Sequence, residues 1–198
     1  MVDLILASAS ETRRRMLAAA GVQVTLSPAR IDEEGLRLSL AKDGASPRDM
    51  ADALAEMKAR KAADRHPDAV VLGFDQILEH EGAALGKADT RLTAGTQLTS
   101  LRGKTHTLWA AAVLYHRQQP IWRTMGKASL TMRDFSDAYL QAYLDRNWPG
   151  VAGSVGAYHI EAEGARLFSV VSGDHFTILG MPLIPVLGYL SDRGFIAT

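Results

Sequence analysis

Two carboxylates and three cations stand out in this chain for what they could do together: Glu33, Asp75, Arg13, Lys58 and Lys87. Glu33 and Asp75 could hold a divalent cation and activate a water, while the three cations could neutralise phosphate oxygens. That equipment suits metal-assisted attack on a phosphoanhydride, where positioning and charge neutralisation supply most of the rate. Ordinary surface charges can be scattered in the same way, so the elements that carry these residues matter. Arg13 lies in the stretch LILASASETRRRMLAAAG, residues 4–21. Leu4, Ile5 and Leu6 suit a strand buried on both faces, residues 7–10 are small, and Ser10 can cap the helix that Glu11 begins. The free N–H groups and dipole at such a helix start favour an anion, and the arginine favours phosphate over carboxylate. The plainer alternative is a βα unit with a solvated basic patch.

The other candidates fall on or beside further elements. After a strand over 22–26 comes Arg30-Ile31-Asp32-Glu33-Glu34, which reads as an exposed acidic turn; residues 35–47 read as a loop with a little helix. Residues 47–65 are helical, with Met50, Ala53, Leu54, Met57 and Ala62 on one face and Lys58, Arg60 and Lys61, most of them expected to be solvated charges, in the second half. Residues 69–74 form a buried strand ending in Asp75-Gln76, which puts a carboxylate at the C-terminal end of a strand, where α/β sheets place ligands. A small hairpin is expected over 77–84, a helix over 92–101, and two antiparallel strands over 105–115 and 121–133. Ser136 caps a helix to Arg146, 148–164 is glycine-rich and irregular, 167–171 is a short strand, and 182–192 is the closing helix. The order of elements predicts an α/β fold with a mixed sheet, not a strict βαβ repeat.

Several common routes to function are excluded or weakened. Gly82-Ala83-Ala84-Leu85-Gly86-Lys87-Ala88 is one residue short of a phosphate loop and lacks its hydroxyl residue, and there is no G-x-G-x-x-G after a strand. The six histidines never fall at metal-ligand spacing, there is no G-x-S-x-G, and cysteine is absent, so thiolate and disulfide chemistry drop out. The 198 residues predict one domain, spanning 1–198, or one core with two lobes. Lys+Arg and Asp+Glu both number 22, so no net field draws the chain to nucleic acid or membrane. No apolar run is long enough to span a bilayer, no basic n-region of a signal peptide precedes the first strand, and the lack of cysteine fits a cytoplasmic protein.

Along nearly its whole length the chain resembles the Maf family of nucleotide pyrophosphatases. LASASETRRRML looks like that family's S-x-S-x-x-R opening, with Ser8, Ser10 and Arg13 in place. Arg30-Ile31-Asp32-Glu33 resembles its acidic turn, Gly73-Phe74-Asp75-Gln76 its catalytic strand, and Leu85-Gly86-Lys87 its G/K step. Leu101-Arg102-Gly103-Lys104-Thr105-His106 is similar to its L-S-G-x-T-H segment, with Arg102 replacing serine, and residues 173–183 to its closing G-D-x…x-G-L-P-L. The resemblance implies hydrolysis of a nucleoside triphosphate to monophosphate and pyrophosphate with Mg²⁺, or Mn²⁺ or Co²⁺. It also implies a two-lobed fold of the inosine-triphosphatase type, an elongated mixed sheet flanked by helices around a central cleft, in a homodimer. Carried over by position, Asp75 is the general base and a metal ligand, Glu33 the metal-side carboxylate, and Ser8, Arg13, Lys58 and Lys87 the phosphate grip.

Three positions bear on the base. Gln76 follows Asp75, Val151-Ala152-Gly153-Ser154 stands where the dTTP- and UTP-specific branch has another run, and Glu161 falls at the specificity glutamate of the 7-methyl-GTP branch. A glutamine and a glutamate can read a guanine edge through complementary donors and acceptors. Thr12 departs from that branch, which has a tryptophan there, and residues 155–157 are extra. The resemblance places 7-methyl-GTP ahead of other non-standard or pyrimidine triphosphates. A rival reading is a nucleotide-binding regulator of septum formation without catalysis, against which the presence of Asp75, Glu33 and Lys87 argues, since binding alone needs no base.

Overall fold

The strand that carries Asp75 is longer than its apolar run predicts, and the architecture is built on it. The computed structural model describes residues 2–197. In chain order the elements are β1 (Leu4–Leu6), α1 (Glu11–Ala19), β2 (Thr25–Leu26), α2 (Glu33–Lys42), α3 (Pro47–Ala63), β3 (Val70–His80), β4 (Ala83–Leu85), α4 (Arg91–Leu101), β5 (Thr105–His116), β6 (Gln119–Met132), α5 (Asp137–Asn147), β7 (Phe168–Gly173), α6 (His175–Ile178) and α7 (Leu183–Asp192). The seven strands form one mixed sheet in the order β2-β1-β3-β5-β6-β7, with β4 also paired to β3. β1 is parallel to β2 and β3, and every other pairing is antiparallel.

Period-two alternation divides the core. Leu4, Leu6, Val70, Leu72 and Phe74 pack with Met16 and Leu17 of α1 and Val186 and Leu190 of α7. Ile5, Val71, Ala111 and Val113 point the other way, onto the alanine face of α3. Farther along the same strands, Leu78, Leu108, Leu130 and Met132 pack against Leu98 of α4 and Tyr143 of α5. One long sheet therefore serves two lobes. The α3 contact is unusually close at Gly73, where a Cβ would stand 2.3 Å from the Ala55 carbonyl oxygen. Only a glycine lets α3 lie this near β3, and that proximity is what brings Lys58 to Asp75.

β3 supplies the notch in which the site forms. Along one edge it pairs with β5 from Val70 to Glu79 without interruption. Along the other it pairs with β1 through Leu72 and with β4 from Leu78 onward. Residues 73–77 thus have an unpaired edge, lying where the neighbour changes from parallel to antiparallel. Asp75 and Gln76 sit in the middle of the strand at this gap, not at a strand's C-terminal end as expected.

Other boundaries move for identifiable reasons. The strand expected over 22–26 is paired only at Thr25–Leu26. The acidic run is a helix start: Asp32 caps α2, its carboxylate accepting from the Gly35 N–H at 2.9 Å. Residues 35–42, within a stretch expected as a loop with a little helix, continue that helix; none of its residues is fully buried, and only Leu36 and Leu40 rest half-buried on the core, a weak apolar signal. The hairpin over 77–84 is present, but its first arm is the continuation of β3 to His80.

Candidate active site

The notch opens into a cleft of about 700 Å³. Its floor is Asp75, which is 5% exposed, and α3 delivers Lys58, 6% exposed, directly onto it. Lys58 Nζ donates to Asp75 Oδ1 at 2.6 Å and lies 3.0 Å from Glu33 Oε1 at the start of α2. Two carboxylates from distant parts of the chain thus converge on one ammonium. On the other side of the floor, Arg13 is nearly buried and lies over the Phe74 ring. Its Nε donates to the Gly180 carbonyl at 2.9 Å, and Nη1 donates to Ser8 Oγ and to the Phe74 carbonyl, both at 3.2 Å. Arg13 therefore ties the β1–α1 turn to the floor and to the loop after α6, leaving Nη2 without a protein partner among the described residues. Ser8 Oγ also accepts from the Ser10 N–H at 3.2 Å, and its own proton remains available to a ligand.

Electrostatics separate the two carboxylates. Burial pushes the Asp75 carboxyl above its ordinary value against the pull of Lys58 and Arg13. At Glu33 burial also pushes upward, but Lys58, with Lys87 and Arg13 beyond it, outweighs this and holds the group below its ordinary value. One carboxyl is made more basic and its neighbour is kept ionised, the pattern by which paired acids take different roles. Among the described residues no group of three His, Cys, Asp or Glu side chains could cage a metal. Two hard oxygen donors meeting at a cleft do fit Mg²⁺, which binds one or two carboxylates together with substrate phosphates and keeps several waters.

Comparison with known proteins bears directly on this arrangement. The family model described as Maf-like protein matches residues 3–193. The chain is 54% identical over 191 residues to the nucleoside triphosphate pyrophosphatase of Roseobacter denitrificans, covering 96% of each chain. It is 49% identical over 197 residues to the protein of the same name from Ruegeria pomeroyi, covering 100% of this chain and 99% of that relative. The chain belongs to the Maf family. Among solved structures it has a likeness to a HAM1 protein from Coxiella burnetii, with a TM-score of 0.47 and 15% identity over 68% of this chain and 75% of that one.

All nine residues singled out from the sequence of this Maf-family protein line the one cleft: Ser8, Thr12, Arg13, Glu33, Lys58, Asp75, Gln76, Lys87 and Glu161. Of the three cations in the second half of α3, most of them expected to be solvated, Lys58 is buried, whereas Arg60 and Lys61 are exposed. Lys87 is exposed at the rim, its backbone bridged to Val155. Glu161 is exposed on the far wall, and Thr12 is half-buried in the first turn of α1. Gln76 is held by the fold: Nε2 donates to the Thr177 and Ile178 carbonyls at 3.1 and 3.0 Å. Both amide hydrogens are thereby engaged and only Oε1 can face a ligand. The reading by complementary donors and acceptors is thus corrected, since Gln76 offers an acceptor alone.

The sequence reading missed Glu34, Arg37, Ile178, Leu179 and Tyr158, which also line the cleft. Tyr158 anchors the irregular far wall. Its hydroxyl pairs with His106 Nε2 at 2.8 Å, and Ser154 Oγ and Tyr143 Oη bond the Tyr158 and Ala157 carbonyls. Burial pushes His106 down to about 4, from an ordinary 6.5. Between those values the unfolded chain binds a proton that folded His106 does not, so stability is lost as pH falls. The loss is about 3 kcal/mol by the bottom of that window. Urea unfolding from pH 7 to 4 should show His106→Gln, which keeps a partner for Tyr158, with a shallower fall than the wild type. Equal slopes would remove His106 from the acid sensitivity.

Proposed function

We propose that this protein is a nucleoside triphosphate pyrophosphatase, releasing monophosphate and pyrophosphate. The observation that carries this reading is Asp75: a buried carboxylate at an unpaired strand edge, made more basic than usual and held by Lys58 beside an ionised Glu33. The names of the relatives support it. Lys58 occupies Asp75 Oδ1, which leaves Oδ2 to take a proton from water. The water oxygen forms a bond to the α-phosphorus as the bond from that phosphorus to the bridging oxygen breaks, and the electron pair leaves with pyrophosphate. Ser8, the N–H groups at the start of α1 and Lys87 orient the phosphate chain and offset its charge. Glu33 and Asp75 would hold a divalent ion, Mg²⁺ first and Mn²⁺ or Co²⁺ as substitutes, which supplies charge neutralisation at the phosphates.

For the base, Gln76 Oε1 and the Glu161 carboxylate are both acceptors. A guanine edge, whose N1 and exocyclic amine are both donors, suits them, so 7-methyl-GTP is the first candidate. The test is a Mg²⁺-dependent turnover screen over standard, methylated and deaminated triphosphates, reading monophosphate and pyrophosphate separately. Pyrophosphate from 7-methyl-GTP is the expected result. Preference for UTP or dTTP would overturn the base assignment and keep the reaction. Nucleotide binding without any turnover would overturn the reaction and leave the septum regulator.

A further inference from the structure

We propose that Arg37 is a phosphate-binding residue of the cleft, positioned to take the pyrophosphate end of the substrate; this rests on the pyrophosphatase reading above. Arg37 follows Glu33 by four residues on α2, so both side chains leave the same face of the helix and both line the cleft. Its side chain is 17% exposed. Nη1 donates to the Ala84 carbonyl at 3.1 Å, and Nε and Nη2 donate to the two Glu34 oxygens at 3.1 and 2.5 Å. A guanidinium has five N–H donors, so two remain. The group stands over the rim beside Lys87: a Cβ on Gly86 would lie 3.0 Å from Arg37 Nη2.

Within the site, Arg37 differs from the other two inward cations, Lys58 and Arg13. Lys58 already faces two carboxylates, so its charge is largely matched before a substrate arrives. Arg13 has Nε and Nη1 committed to the fold. Arg37 is instead forked onto Glu34, whose side chain is 62% exposed. A carboxylate and a phosphate present the same pair of oxygens to an arginine fork. The pair is closely fitted, but Glu34 is exposed to solvent, which screens it, and a phosphate with more charge can displace it. α2 has no fully buried residue: Leu36 and Leu40 rest half-buried against the core beside α3, and polar contacts, Glu33 to Lys58 and Arg37 to Ala84, hold the cleft side.

The test is calorimetric binding of inorganic pyrophosphate, with Mg²⁺ present, to the full-length protein, alongside turnover of the best triphosphate from the screen. Arg37→Ala should weaken pyrophosphate binding about tenfold or more, as loss of a charge-assisted pair does, while nucleoside monophosphate affinity stays unchanged. Arg37→Lys should recover part of the loss, since it restores the charge without the fork. Glu34→Gln should tighten pyrophosphate binding severalfold by removing the competing carboxylate. If Arg37 only tethers α2 to β4, Glu34→Gln and Arg37→Ala would move affinity together or not at all, and the proposal falls. Thermal melting of each variant confirms folding. Wild-type turnover to pyrophosphate with Arg37→Ala binding pyrophosphate normally would sink Arg37 alone. Absence of both wild-type turnover and pyrophosphate binding would sink the pyrophosphatase reading with it.

Discussion

Replacing Asp75 by asparagine is expected to lower kcat by about 10²–10⁴-fold, the usual worth of a positioned general base, while triphosphate binding persists. Asparagine has nearly the same volume and can still accept from Lys58 Nζ, so the floor of the cleft is preserved. What disappears is the capacity to take a proton. Because burial raises the Asp75 carboxyl above its ordinary 3.8, kcat/KM of the wild type should fall on acidification at a higher pH than an exposed aspartate would give. The same shift has a stability sign. Folded Asp75 holds its proton more tightly than the unfolded chain, so its contribution to stability is lost as pH rises through that window. The ligand-free Asp75→Asn protein should therefore melt no lower than wild type at neutral pH, and higher if Lys58 and Glu33 keep their pairing. Kinetics on a pH series, with melting curves of the same samples, check both parts. A variant with near-normal turnover would remove Asp75 as the base.

The second large effect is expected from Lys58→Met. Methionine fills the space of the lysine stem but leaves Asp75 buried, beside Glu33, with no ammonium between them. Removing one partner of a buried pair costs about 3–5 kcal/mol; most of this falls on Asp75, because the Glu33 side chain is 46% exposed and better screened. In EDTA the variant should have a clearly lower urea midpoint than wild type. Millimolar Mg²⁺ should restore part of that loss, since the two freed carboxylates then have a cation to share. A midpoint indifferent to Mg²⁺ would show that Glu33 and Asp75 are not the metal pair.

The parts of the fold that were legible in the chain are those set by local chemistry. α1 was readable because a buried three-residue strand, small residues and a capping serine precede its charged first turns, and Ser10 does accept from the Arg13 N–H. α3, α4, α5 and the β5–β6 pair were readable for similar reasons, their apolar residues recurring at the period of the element. α2 was read only as a loop with a little helix, because its apolar contact is two half-buried leucines, Leu36 and Leu40, diluted by Gly35 and exposed Leu38, and with it went the i, i+4 relation that places Arg37 beside Glu33. β3 was cut short at Phe74 because Asp75, Gln76 and Glu79 interrupt its apolar run. Each has a tertiary partner instead: Lys58, the α6 carbonyls and Trp109 Nε1 respectively.

The sequence by itself singled out nine positions, and the fold gathers all nine around one cleft. It also determined the α/β class and most helix starts, because caps and periodicity act within a few residues of chain. Only the tertiary structure decided what each side chain does there. Whether Lys58 is solvated or buried depends on how near α3 lies to β3, and that is set by the missing Cβ of Gly73. Whether Gln76 presents donors or an acceptor depends on α6, about a hundred residues away. Whether Asp75 ends a strand or sits in its middle depends on which neighbours pair on either side of it. Burial, pairing and pKa are properties of contacts between distant segments, and no local pattern of residue types encodes them.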